Sequence, residues 1–237
     1  MSLHIAVSNS FVRRFSVLPL TAAALIYGAS HLGVAADVAT TATFPNPVTD
    51  IATAATTEEQ TAVFAGGCFW GMEGVFEHLK GVSEVITGYA GGSAASARYQ
   101  EVSAGTTAHA EAVKITYDPS QITYGQLLKV YFAVAHDPTQ LNRQGPDTGP
   151  QYRSAIFFAN DEQKQVAQAY IDQLNQAGVF NRPIVTQLSP LDLDRFYAAE
   201  DYHQDFIKRN PRNPYVILHD LPQIVRLQEQ FPELYQE

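Results

Sequence analysis

Cysteine is almost missing from this chain of 237 residues, where Cys68 stands alone. A single cysteine excludes an internal disulfide and any CxxC metal or redox site, and leaves room for one reactive thiol. Basic residues are also scarce, with 15 Lys and Arg against 24 Asp and Glu and a net charge of −9. The basic stripe that nucleic-acid binders use is therefore lacking, and that class is excluded. The seven histidines are scattered, without the spacing of a metal-ligand set. Charged residues make up only 16% and apolar residues 46%, a balance that suits a globular fold and not a disordered chain. The length allows one well-buried domain with extra segments, or two small domains at most. There is no internal repeat.

Acidic residues are absent from residues 1–36, whose only Lys or Arg residues are Arg13 and Arg14. An apolar stretch follows at 15–27, and small residues close the segment at Val34-Ala35-Ala36. That succession reads as an export signal cut near Ala36, so the expected location is exported and periplasmic. Removing both arginines would take the net charge from −9 to −11. An uncleaved membrane anchor is the first alternative, but the run is short for a span and Pro19, Ser30 and His31 interrupt it. An organelle transit peptide is the second. Residues 37–60, rich in Ala and Thr with Pro45 and Pro47, read as a flexible linker. The catalytic domain is expected over 61–237, including an extended C-terminal tail.

Within that domain, residues 61–65 form a short apolar run that breaks at Gly66-Gly67, as a buried strand would. Phe69, Met72, Phe76 and Leu79 recur at helical spacing up to Gly81. Residues 83–89 and 109–118 read as strands, with a polar loop between them. Thr123 and Gln126 form a capping box before a helix carrying Leu127, Leu128, Tyr131 and Val134. A strand at 152–159, a helix at 161–177 and a strand at 184–188 follow. The order β-α-β-β-α-β predicts an α+β fold, a ferredoxin-like two-layer sandwich with helices on one face of a mainly antiparallel sheet. Residues 196–209 read as helix, and the tail from Asn210 has several prolines and weak periodicity.

Two residues stand out chemically. Cys68 lies between the strand ending in Gly66-Gly67 and the helix opening at Phe69. Backbone N–H groups and the dipole at a helix start favour a thiolate, so a lowered thiol pKa is expected there. A small buried hydrophobe is the bland alternative. Phe69 falls on the helix's apolar stripe, whereas Trp70 falls off it and could line a pocket beside the sulfur. In the strand at 109–118, alternation puts Glu111 on the face of Val113, Ile115 and Tyr117. A carboxyl held there is desolvated and its pKa rises, which suits a general acid. A strand-end glutamate reaching solvent is the alternative.

Gly66-Gly67-Cys68-Phe69-Trp70-Gly71 resembles the signature of the A-type peptide methionine sulfoxide reductases, which act on the S epimer. The resemblance runs on through Val85-Ile86-Thr87-Gly88-Tyr89-Ala90-Gly91-Gly92, Tyr99-Gln100-Glu101-Val102 and His109-Ala110-Glu111-Ala112-Val113. It includes His136-Asp137-Pro138, residues 147–154 and Ala199-Glu200-Asp201-Tyr202-His203-Gln204, spanning about 61–211 in all. The resemblance implies Cys68 as nucleophile, Glu111 as acid and Tyr99 and Tyr152 as ligands of the sulfoxide oxygen. It also implies Asp147 as an assisting group, and Phe69 and Trp70 as the substrate-binding seat of the methyl group.

The chain departs from many members in lacking recycling cysteines, in the tail or near Ser103. Ala108 also stands where glycine is usual. A sulfenic acid on Cys68 would have no internal thiol to meet. No bound cofactor is expected, and thioredoxin, glutaredoxin or a small thiol would serve as external reductant. The expected partners are oxidised proteins or peptides, with the chain acting as a monomer. A cysteine hydrolase would instead need a base such as His78, His109, His136 or His203 near the thiol, and none sits in a partner motif. A thiol peroxidase and a non-catalytic binding module are the other readings. Arg153 and His203 are expected to serve the fold.

Overall fold

A computed structural model of the chain describes residues 44–51 and 58–237; the expected export signal lies outside the described residues. The first strand, β1 (Gln60–Ala65), passes through Gly66-Gly67 into helix α1 (Phe69–Glu77). Strand β2 (Val82–Ala90), the short helix α2 (Tyr99–Ser103) and strand β3 (Ala110–Tyr117) follow. Helix α3 (Tyr124–Val130) opens on the expected capping box: Thr123 accepts the Gln126 N–H, and the Gln126 side chain accepts that of Thr123. It continues into a π-helical turn at Tyr131–Ala135. The two-residue strands β4 (Arg143–Gln144) and β5 (Asp147–Thr148) form a hairpin. Strand β6 (Ala155–Phe158), helix α4 (Asp161–Gln176), strand β7 (Gln187–Pro190) and strand β8 (Tyr197–Ala198) complete the sheet elements. Helices α5 (Phe206–Arg209) and α6 (Leu221–Gln230) end the chain.

The main sheet has the order β7-β6-β1-β3-β2-β8. Every neighbouring pair is antiparallel except β6 and β7, which are parallel because α4 connects them as a crossover. The fold is thus α+β. Period two along the strands sorts the faces. Phe64 of β1, Tyr89 of β2, Val113 and Ile115 of β3 and Ile156 of β6 face the apolar stripes of α1, α3 and α4. The Phe64 ring lies 5.7, 6.0 and 5.0 Å from those of Phe76, Tyr124 and Tyr131. Burial of this kind makes a Phe→Ala change there cost about 3–5 kcal/mol. The opposite face is small, with Ala65, Ala110, Ala112 and Phe157 beneath Leu191 and Phe196.

Three stretches differ from the sequence expectation. Residues 196–209 are not one helix: Tyr197–Ala198 pairs as an edge strand with β2, and only Phe206–Arg209 is helical. Pairing with an open sheet edge satisfies backbone groups that an isolated helix would have to satisfy alone. The tail is ordered as a π-helical turn, Val216–Asp220, running into α6. Pro222 sits in the first turn of α6, where proline starts a helix instead of breaking it. The stretch read as a linker is anchored in its described part. Phe44 packs edge-on to Phe180, and Asp50 accepts the Thr123 hydroxyl and the Gly125 N–H at the start of α3. Tyr170 and Gln173 of α4 also donate to the Pro45 and Asn46 carbonyls, and such scattered anchors in an Ala- and Thr-rich run carry no periodicity, so the sequence hid them.

Candidate active site

The site is built where β1 ends. The Tyr131 hydroxyl donates to the Ala65 carbonyl at 2.8 Å, fixing the strand just before the glycines. Gly67 takes a φ of +102°, and a Cβ on it would lie 2.6 Å from Cγ of Gln144 on β4. Only glycine allows both the turn and the hairpin lying over it. Cys68 then caps α1 with its sulfur partly buried.

Glu111 reaches the same point from β3. It is 2% exposed, and its Oε2 accepts the Phe69 N–H at 3.2 Å. Burial lifts its carboxyl to about 8, with Asp147 adding to the rise and the Phe69 N–H opposing it. The acid is therefore mostly protonated at neutral pH, as the strand alternation implied. Cys68 departs from expectation. Burial first, then the carboxyls of Glu111 and Asp220, push its thiol well above the ordinary value, and the Trp70 N–H opposes them only in part. One helix N–H cannot outweigh desolvation beside several acids, so the free protein holds a thiol.

Tyr99 and Tyr152 feel the charges of both Cys68 and Glu111, and burial raises both phenols. Tyr99 opens α2, where its backbone N–H donates to Glu200 at 2.9 Å. The other Glu200 oxygen accepts the Tyr89 hydroxyl at 2.8 Å. Tyr152 ends a 3-10 turn after Gly149, and Arg153 ties that turn to the carbonyls of Ala108, His109 and Pro150. Asp147 comes from the hairpin and accepts the Tyr215 hydroxyl. Phe69 is buried, with its ring 5.0 Å from that of His203. Trp70 stacks on Phe206 at 3.6 Å and donates its indole N–H to His203 at 3.2 Å. The sequence-predicted residues therefore converge on one place.

The histidines that a hydrolase would need are otherwise engaged. His78 contacts the Gly74 carbonyl, and His109 bridges Gly92 and Ser93. His136 is buried between the Tyr131 carbonyl and Ser154, and burial lowers it to about 4. His203 holds Trp70. Among the described residues no group of His, Cys, Asp and Glu could hold a metal.

Sequence reasoning missed three residues here. Glu200 holds Tyr99, Tyr215 holds Asp147, and Asp220 is buried beside the thiol. Asp220, Ile224 and Leu227 lie on one face at helical spacing, a signal that the prolines of the tail masked. Asp220 reaches the site because Gly71 has no side chain: a Cβ there would lie 2.8 Å from Asp220 Oδ1.

A lone thiol at a helix start, facing a protonated carboxyl on an α+β scaffold, has the arrangement of an enzyme that works through a thiol. The sequence profile of the peptide methionine sulfoxide reductase family matches residues 60–234. The peptide methionine sulfoxide reductase MsrA 2 of Mesorhizobium japonicum is 58% identical over 178 residues, 75% of this chain and 90% of that protein. Its counterpart MsrA 2 of Synechocystis sp. is 56% identical over 191 residues, 80% of this chain and 88% of that protein. Among solved structures, the methionine sulfoxide reductase A of Corynebacterium diphtheriae superposes with a TM-score of 0.56 at 36% identity, covering 71% of this chain and 84% of that one. Mxr1 from Saccharomyces cerevisiae in reduced form gives 0.59 at 33% identity, covering 66% and 88%. The chain belongs to the A-type peptide methionine sulfoxide reductases. It is an enzyme that reduces methionine sulfoxide in proteins to methionine by thiol chemistry.

Proposed function

We infer that the chain reduces the S epimer of methionine sulfoxide through a sulfenic acid on Cys68. The observation that carries this reading is the buried Glu111 carboxyl, bonded to the N–H beside Cys68 and ringed by Tyr99 and Tyr152. Cys68 Sγ attacks the sulfoxide sulfur while Glu111 protonates the oxygen, and the thiol's own proton returns to Glu111. Tyr99 and Tyr152 donate hydrogen bonds to that oxygen as negative charge builds on it. Asp147 assists from the hairpin. Phe69 and Trp70 hold the methyl group. The hydroxyl then passes from the substrate sulfur to Cys68 Sγ: an Sγ–O bond forms, the substrate S–O bond and the transient Sγ–S bond break, and methionine leaves with Cys68 as sulfenic acid.

An external thiol completes the cycle, because Cys68 is the only cysteine. Thioredoxin, glutaredoxin or a small thiol would supply it, and the chain works as a monomer. The order β6-β1-β3-β2, all antiparallel, supports naming the core a ferredoxin-like sandwich. The pattern of residues 1–36 supports export to the periplasm. N-terminal sequencing of the protein recovered from that compartment tests the cut near Ala36.

The chemistry is tested without reductant, by counting methionine formed from a peptide sulfoxide while sulfenic acid is labelled. One methionine per enzyme, label on Cys68 and an untouched R epimer are expected. No methionine from a protein whose thiol still titrates would refute the reading.

A further inference from the structure

The residues proposed to hold the sulfoxide oxygen do not account for a second space at Cys68. A cavity of about 220 Å³ is bounded by Cys68 and Gly66, by the β4–β5 hairpin and by the tail from Tyr215 to Arg226. Asp220 lines it. That side chain is 2% exposed, its Oδ2 has no hydrogen-bond partner, and the nearby Oε1 of Gln223 has none either. Buried acceptors left unsatisfied cost about 1–3 kcal/mol each, so they mark a place where a donor is to be received. Asp220 lies close enough to Cys68 for its charge to raise the thiol.

We propose that this cavity seats a small-molecule thiol and that Asp220 is the base that takes its proton when it attacks oxidised Cys68. The volume is below the roughly 300–1,000 Å³ that drug-sized ligands fill, and suits a thiol the size of cysteine. Both unsatisfied oxygens are acceptors, which match a donor such as S–H or ammonium. In the step, Asp220 accepts the thiol proton and the reductant sulfur bonds to Cys68 Sγ. The S–O bond breaks, and the hydroxide leaves as water with a proton from Glu111, which solvent restores. A second thiol then attacks the mixed disulfide, releases Cys68 as a thiol and leaves the reductant as its disulfide. Two thiols are oxidised and one sulfenic acid is reduced.

The inference rests on the sulfenic acid of the proposed function, and the test separates the two. The full chain is given one equivalent of peptide sulfoxide without reductant, then mixed with L-cysteine or with a dithiol protein, and the loss of sulfenic acid is timed by labelling samples withdrawn at intervals. Asp220→Asn should give the normal single methionine but lose the sulfenic acid about 10²-fold more slowly with L-cysteine. Wild type should also speed up as pH rises through about 7, where burial first and Asp147 second have moved Asp220. The charged and titratable groups facing it are Cys68, Asp147, Tyr215, His219 and Arg226. Asp220→Asn should lose that inflection, and Asp220→Glu should recover part of the rate with a shifted midpoint.

A missing methionine burst in wild type would sink the sulfenic acid reading itself. A normal burst with wild-type loss of sulfenic acid in Asp220→Asn would sink only the role of Asp220. So would loss of the burst in that variant alone, or an effect seen with the dithiol protein and not with L-cysteine. Should Asp220→Asn fail to fold, an Asp220→Glu protein with the wild-type rate and midpoint would overturn the assignment.

Discussion

Replacing Glu111 by Gln should make the protein more stable and nearly inactive, and both effects follow from its burial. The carboxyl titrates at about 8 in the fold against an ordinary value of 4.5. The folded state therefore holds the proton more tightly than the unfolded one, so wild-type stability falls as pH rises between those limits and levels off above them. The slope is about 1.4 kcal/mol per pH unit, which comes to about 3 kcal/mol by pH 7 and about 5 kcal/mol above pH 8. Gln keeps an acceptor for the Phe69 N–H and cannot ionise. Its amide adds an unpaired donor at a cost of about 1–3 kcal/mol, but that cost does not change with pH. Glu73 and Asp220, which burial also lifts to about 7, are common to both proteins and cancel in the difference. Urea unfolding of both proteins between about pH 5 and about pH 8.5 should give a stability difference that shifts steadily in favour of Gln as pH rises. Reductant-free methionine formation should slow by about 10²–10⁴-fold. Parallel stability curves would refute the buried-acid argument, and an undiminished burst would refute the role of Glu111 as acid.

Iodoacetamide should alkylate Cys68 in the free protein at least about tenfold more slowly than it alkylates free cysteine near pH 7.5, because only the thiolate reacts. A faster reaction would mean that the neighbouring acids do not raise the thiol. Changing Tyr99 and Tyr152 together to Phe should lower kcat for sulfoxide reduction by about 10²-fold or more with little change in KM. A rise in KM alone would make them ground-state binders. Gly67→Ala should lower stability by about 1–3 kcal/mol and activity with it, since φ is +102° and the new Cβ meets Gln144. An unchanged melting temperature would show that the hairpin yields freely.

Strand alternation made the burial of Glu111 legible, and the capping box made the start of α3 legible, because both are local patterns with a fixed period or offset. The thiol's pKa was not legible. Its direction is set first by burial and then by Glu111 and Asp220, which lie 43 and 152 positions from Cys68 and meet it only in the fold. The tail escaped for a related reason. Its prolines read as breakers, while Gly71 and Gly74, three apart on α1, offered a bare strip for another element to approach. A Cβ on Gly74 would lie 2.6 Å from Ile207 Cδ1 and 3.2 Å from Ile224 Cδ1, so the docking of α5 and α6 is written partly in those glycines. Residues 196–209 were misread because edge pairing with β2 depends on where an open sheet edge stands, which no local spacing reveals.

The chain has one tryptophan, and it is the second residue after Cys68, stacked on Phe206 and bonded to His203. Every change of charge or oxidation at the sulfur therefore happens beside the sole indole, with no other indole to dilute the signal. Intrinsic fluorescence becomes a site-specific clock: thiol, sulfenic acid and mixed disulfide can each be timed in unlabelled protein by stopped flow. The enzyme carries its own optical probe at the atom whose history matters.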